Sequence, residues 1–431
     1  MMRCLTLGIL LLPVVSLAAP IERIDRLADE IEADVIAWRH HLHANPELSN
    51  HEVHTAAYVA AHLSQLGIEV QTGVAVHGVV GVLKGGRPGP VVALRADMDA
   101  LPVTERTGLP YASTVRVDYG GKEVGVMHAC GHDAHVAILM GAAELLASVR
   151  EELTGTVKFI FQPAEEGAWP APEWGAKQMI SEGVLENPKV DAIFGLHVWS
   201  SLPTGVVGVR SGPVMASSDF LRITVTGKQT HAAAPWQGVD PITVSAQIAL
   251  GLQTVASRQV NILGSPSIVS IGTINGGDRN NIIPDEVVMT GTIRTFDPAV
   301  RTAYHERVTR TAQKIAEAAG ATAEVYIGAD TGYAPTINHA ELTEQMKDVL
   351  VRVAGAEKII TNDLTTGSED FSFFQQQVPG LFIFLGVTPE GTDMSTVAAN
   401  HSPLFLLDDG ALKVGVRAMA SLAAEYLERN R

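Results

Sequence analysis

Apolar and polar residues along this chain recur with two different periods. Apolar positions return at helical spacing over residues 27–43, which include Trp38, and again over 55–66, where Gly67 stops the run. Short apolar runs then predict strands at 78–83, 91–94, 157–161 and 193–198, with helical stretches such as 136–149 between them. Strands alternating with helices predict an α/β sheet covered on both faces, whose functional groups collect at the carboxyl ends of the strands. The order changes near residue 215. Strands are expected at 221–226, 267–274, 287–296 and 323–326, and helices near 241–257 and 298–319. Strands paired around two helices predict a smaller α+β unit inserted into the first domain's chain.

The boundaries follow from this pattern. Residues 20–213 and 329–431 are expected to form the two parts of one domain, with 214–328 as the insertion. The first nineteen residues are different. Arg3 is followed by an apolar run over 5–15 and the small residues Ser16 to Ala19. This is the layout of a secretory signal peptide, too short to span a membrane, so the mature protein is expected in the periplasm or outside the cell. A length of 431 residues allows two or three domains, and 46% hydrophobic residues supply ample core. A net charge of −16 without any basic stripe excludes nucleic acid as a partner and argues against an anionic membrane surface.

Candidate chemistry falls at the predicted strand ends. Without the leader the chain keeps one cysteine, Cys130, so no intramolecular disulfide can form. It lies in Met127-His128-Ala129-Cys130-Gly131-His132-Asp133-Ala134-His135. A thiolate and an imidazole two residues apart suit a metal. Alone, Cys130 reads equally well as a small buried side chain, and the three nearby histidines favour the metal. Glu165-Glu166 follows an apolar strand broken by Pro163. One carboxylate of such a pair can hold a metal while its neighbour takes a proton from water, although two surface carboxylates read the same way in isolation. His197 among apolar residues, and His401 in Asn400-His401-Ser402-Pro403, each read alone as hydrogen-bonded histidines.

Taken together, these segments resemble the M20 metallopeptidase superfamily, specifically its amidohydrolase branch of hippurate, auxin-conjugate and N-acyl amino acid hydrolases. The resemblance covers nearly the whole mature chain. Besides the Cys130 and Glu165 segments, it is carried by 94–102 (Leu-Arg-Ala-Asp-Met-Asp-Ala-Leu-Pro), 195–198, 231–235 (His-Ala-Ala-Ala-Pro), 281–285, 291–296, 367–371 (Gly-Ser-Glu-Asp-Phe) and the stretch around His401. It implies a mixed-sheet di-metal catalytic domain with an inserted α+β lid or dimerisation domain. By resemblance, Cys130, His132, Glu166, His197 and His401 hold two divalent ions, zinc or manganese, and Glu165 is the general base and then the acid. His231 implies an oxyanion donor that in relatives often serves a dimer partner's site, and Asn281 and Arg294 imply substrate-gripping groups. Asp97 and Asp133 are expected to orient ligands.

The expected activity is hydrolysis of the amide bond of N-acyl amino acids or related small amides. A dipeptidase or carboxypeptidase acting on small peptides is the alternative, and a homodimer through the inserted domain is implied. Two positions depart from the wider pattern. Arg95 stands where much of the superfamily has a histidine, and Trp236 stands where many branch members have another. The indole suggests added apolar surface near the cleft and a preference for aromatic or long acyl groups.

Overall fold

Continuous apolar runs such as Val-Lys-Phe-Ile-Phe form strands buried on both faces, and four of these make the centre of the molecule. The computed structural model describes residues 20–168, 171 and 173–431. The signal-peptide reading of residues 1–19 lies outside the described residues. An eight-stranded sheet runs in the order Glu69–Val74, Gly78–Lys84, Thr154–Gln162, Arg87–Asp97, Ala192–Pro203, Gly380–Thr388, Val207–Gly208, Ile359–Ile360. The strands Thr154–Gln162, Arg87–Asp97, Ala192–Pro203 and Gly380–Thr388 are mutually parallel, so their carboxyl ends share one edge. Register places Asp97 beside Gln162 on that edge.

Alternate residues of these strands feed two cores. Val92, Leu94, Phe159 and Phe161 pack under the helices Glu32–Ala44, His132–Ser148 and Gly410–Arg429. Ala93, Ile160 and Ile193 face the other way, against Met179, Phe371 and Phe374. Burial of this alternating set fixes the register, because a one-residue slip would exchange the two faces.

The second sheet is antiparallel, in the order Ser267–Asn275, Glu286–Thr295, Ser218–Thr226, Thr322–Tyr333. Leu221, Ile223 and Val225 turn toward the helices Pro241–Arg258 and Pro298–Ala318, while Phe220 and Tyr326 remain exposed on the opposite side. Both helices begin with Asp-Pro. Asp240 accepts hydrogen bonds from the Ile242 and Thr243 N–H groups, and Asp297 from that of Val300, while proline loses nothing in the first turn.

The predicted helix over 27–43 is two helices, Pro20–Glu30 and Glu32–Ala44, which meet at Ile31 with φ −96° and ψ 1°. Ile31 is buried there, so the bend keeps its side chain in the core. Elements outside the sequence-based expectations include the strands Glu69–Val74 and Gly380–Thr388, the helices Ala340–Ala354 and Gly410–Arg429, and a two-stranded hairpin, Arg116–Tyr119 with Lys122–Gly125. Among the described residues, no helix is long and apolar enough to cross a membrane.

Candidate metal centre

The carboxyl edge of the large sheet gathers side chains from four separated stretches of chain. Cys130 sits on the turn into the helix His132–Ser148. Gly131 makes that turn with φ +92°, and a Cβ there would fall 2.3 Å from Val198 Cγ2, so glycine is required on both counts. His197 lies on the neighbouring strand with Nε2 3.4 Å from Cys130 Sγ. Its Nδ1 lies 2.7 Å from the Val198 carbonyl, which places the proton on Nδ1 and leaves the Nε2 lone pair free. His401 adopts a left-handed backbone, φ 71°, and donates its N–H to the Ala129 carbonyl at 2.8 Å. Its Nε2 is then 3.2 Å from Cys130 Sγ and 3.1 Å from Glu166 Oε1. Asn400 staples this loop down, donating to the Cys130 and Val198 carbonyls, each at 3.1 Å.

The two glutamates are aimed apart by a turn that buried carboxyl groups hold. Ala164 has φ +54°, and its N–H donates to Glu52 Oε1 at 2.8 Å. Asp99 then takes both following amides, Glu165 N–H on Oδ1 at 3.1 Å and Glu166 N–H on Oδ2 at 3.0 Å. Glu166 reaches His401, whereas Glu165 Oε1 accepts the Asp370 N–H at 3.2 Å. Ligand-type atoms come together within 4.8 Å in overlapping sets: Cys130, His132 and His197; Cys130, Glu166 and His401; His132, Glu165 and Glu166.

A second layer orients these groups. His132 Nδ1 faces Asp99 Oδ1 at 3.3 Å and Asp97 Oδ1 at 3.8 Å, so its Nε2, buried and without a hydrogen-bond partner, is free to bind. Asp97 Oδ1 also lies 2.5 Å from His135 Nδ1, and His135 Nε2 accepts the Val198 N–H, which leaves that histidine structural. Asp133 differs from expectation. It binds Arg39 Nε at 3.0 Å and His43 Nδ1 at 2.9 Å, tying down the helix Glu32–Ala44, and Asp99 takes the orienting position at His132. His128 is buried with neither ring nitrogen hydrogen-bonded, and burial drops it to about 4, so it is neutral.

Arg95 fills the place of the wider family's histidine. Its guanidinium is fully enclosed and donates to Gln162 at 2.9 Å, Asp97 at 2.7 Å, Glu369 at 2.9 Å and Asp370 at 2.8 Å. Four carboxyl groups (Asp97, Glu165, Glu369 and Asp370) thus crowd around one fixed cation. Burial, then the Glu369 and Glu166 charges, push the Glu165 carboxyl well above its ordinary range. Burial and the Glu166 and Glu165 carboxylates likewise push the Cys130 thiol up. Burial opposes charge on His132, but Asp97 and Asp99 outweigh it and raise the imidazole to about 10. Soft and nitrogen donors in an acidic, enclosed setting fit divalent ions, whose charge would reverse these shifts.

The remaining predicted residues divide. Arg294 lines the same cleft, about 1840 Å³ in volume, with Nη1 3.3 Å from Ser368 Oγ. His231 and Asn281 come together, since the Thr230–His231 strand pairs with Ile282–Ile283 and Ala232 N–H donates to the Asn281 carbonyl. Both are exposed, and neither is among the described residues that line this chain's cleft. Trp236 is 78% exposed and also outside that lining, so it adds no wall to the cleft of its own chain. Residues that sequence reasoning missed are Glu52, Asp99, Tyr333, Glu369 and Asp370. Asp99, Glu369 and Asp370 stand inside motifs already singled out, whereas nothing local marks Tyr333.

Residues 93–425 match the model of peptidase family M20/M25/M40. The chain is 41% identical to thermostable carboxypeptidase 2 of Saccharolobus solfataricus over 94% of its length and 98% of the relative's. Identity to N-acetyl-L-cysteine deacetylase of Bacillus subtilis is 39%, covering 93% and 90% of the two chains. Among solved structures, the YxeP protein of Bacillus subtilis, a dinuclear metal-binding peptidase of the M20 family, superposes with a TM-score of 0.77 at 37% identity, covering 93% of this chain and 99% of that one.

Proposed function

Because the chain belongs to the M20/M25/M40 peptidase family, we propose from its site that it hydrolyses the amide bond of N-acyl amino acids or related small amides. One observation carries this reading: a thiol, three imidazoles and a carboxylate converge beside a second, separately held carboxylate. Cys130, His132, Glu166, His197 and His401 would hold two divalent ions, zinc or manganese. Bound there, such ions supply Lewis acidity toward the scissile carbonyl and toward water.

The chain's own residues do the rest. Glu165, whose Oε1 is held by the Asp370 N–H, takes a proton from the attacking water and returns it to the departing amine. Arg294 donates to the Ser368 hydroxyl, and Asp219, whose charge acts on it, is already paired with Arg301 and His305. Arg294 is therefore suited to grip a substrate carboxylate through two hydrogen bonds, selecting amides of amino acids.

The similarity to a carboxypeptidase keeps cleavage of small peptides as the second reading. Pairing of two copies is supported by the open edge strand Ser267–Asn275 and by exposed Leu250 and Ile274 on the same unit. Such pairing would offer the exposed His231 and Asn281 to the other copy. The leader-like first nineteen residues support export to the periplasm or beyond. Amino acid release from N-acetyl, N-benzoyl and dipeptide substrates tests the assignment, run with Zn²⁺ or Mn²⁺, with chelator, and with Glu165→Ala. Metal-dependent release from acylated substrates that disappears in the variant is expected. Release mainly from unblocked dipeptides moves the assignment to a peptidase.

A further inference from the structure

The peptide group between Glu165 and Glu166 is held from both ends. Its N–H, on Glu166, donates to Asp99 Oδ2 at 3.0 Å, and its C=O, on Glu165, accepts the hydroxyl of Tyr333. A peptide unit is planar, so fixing both groups stops the plane from rotating. The torsions at its two ends, ψ of Glu165 and φ of Glu166, set the directions of the Glu165 and Glu166 side chains relative to each other, and the held plane fixes both. Asp99 lies two residues beyond the large-sheet strand Arg87–Asp97, but Tyr333 is the last residue of Thr322–Tyr333, in the second sheet. Its ring packs edge-on against Phe373, at 84° and 6.2 Å between centroids. Burial and the Glu165 charge push the phenol well above its ordinary value, so the donated proton stays in place.

We infer that Tyr333 is a positioning residue, which clamps the Glu165–Glu166 peptide and so makes the aim of both carboxylates depend on the second sheet being seated. This rests on Glu165 acting as the general base. The hydroxyl need not touch substrate to matter, because a misplacement near 1 Å at a reacting group costs on the order of 100-fold in rate.

The test is Tyr333→Phe in the full mature protein, loaded with Co²⁺ for spectroscopy and with the activating metal for kinetics, beside Glu165→Gln. The visible spectrum of the cobalt form is expected to shift, because Glu166 is carried by the released peptide. On the best acylated substrate, kcat is expected to fall tenfold or more with KM within twofold. A cobalt spectrum identical to wild type overturns the inference, as does kcat within twofold, or a raised KM at constant kcat, which would make Tyr333 a wall of the substrate site. If Glu165→Gln keeps wild-type activity, the general-base reading fails instead, whatever Tyr333→Phe does to the spectrum.

Discussion

Arg95 and Asp97 stand two residues apart on one strand, their side chains on the same face, with Arg95 Nη1 2.7 Å from Asp97 Oδ2. The other oxygen of Asp97 serves His135, so the pair links the internal cation to the helix His132–Ser148, which follows Cys130. On its far side the guanidinium holds Glu369 and Asp370 together. Removing the cation strands three buried carboxyl groups facing one another. Arg95→Met is therefore expected to destabilise the protein by roughly 3–5 kcal/mol, the range for breaking a buried pair. The urea midpoint checks this. A midpoint equal to wild type would mean that the carboxyl groups protonate without structural cost.

A pH dependence follows from Asp133, His43 and Arg39. Burial opposes charge on His43, but Asp133 and Glu105 outweigh it and raise the imidazole from 6.5 to about 9. A group raised on folding contributes its full stabilisation below its unfolded value, and that contribution fades as pH climbs through the folded one. Asp133 has the opposite sign. Arg39 and His43 overcome its burial and hold it far below the ordinary carboxylate range, so its contribution is lost only in strong acid. The stability advantage of wild type over His43→Gln should thus be largest between about pH 4 and 6.5 and shrink toward pH 9. Denaturant midpoints of both proteins across that range decide it, and a constant difference would contradict a charged His43.

Asp99 connects the metal ligands to the general-base turn, since it accepts both glutamate amides and faces His132 Nδ1. Asp99→Asn keeps the shape but replaces one acceptor oxygen with a donor and removes the charge that fixes the His132 tautomer. Metal affinity is expected to fall about 10- to 100-fold, as for other lost partners of ligating histidines. Competition with a chelator of known strength measures it. An unchanged affinity would show that the orientation of His132 is set by the helix alone.

How far the sequence carries this picture depends on the range of the interaction. The strands and helices around Leu94, Phe159 and Leu221 are legible because periodicity is local and the cores obey it. Gly380–Thr388 is a plain apolar run, and its partner strand is almost two hundred residues earlier, so nothing nearby announces the pairing. The convergence of Cys130, Glu166, His197 and His401 was suggested by resemblance, since each alone reads as an ordinary side chain. The groups that aim them were less legible. Asp133 was expected to orient a ligand but turns toward Arg39, whereas Asp99, from the segment after the strand Arg87–Asp97, faces His132. Tyr333 meets Glu165 across 168 residues and between two sheets, a contact that only the tertiary fold creates.

Arg294 offers the most direct check on substrate class. It lies half-buried at the next-to-last residue of the strand Glu286–Thr295 and lines the cleft, and burial draws its guanidinium below the usual value. The Ser368 hydroxyl at 3.3 Å satisfies one of five donors, so the cation is poised for an anion. Charge-assisted hydrogen bonds of this kind contribute about 1.5–3 kcal/mol, equivalent to roughly 10- to 150-fold. Arg294→Met should lower kcat/KM by that factor on an N-acyl amino acid. On the matching N-acyl amino acid amide, which has no carboxylate, the same variant should change little. A double comparison, two proteins with two substrates, isolates the carboxylate contact from any general loss of packing. Equal losses on both substrates would place the carboxylate elsewhere in the cleft and leave Arg294 as a wall residue.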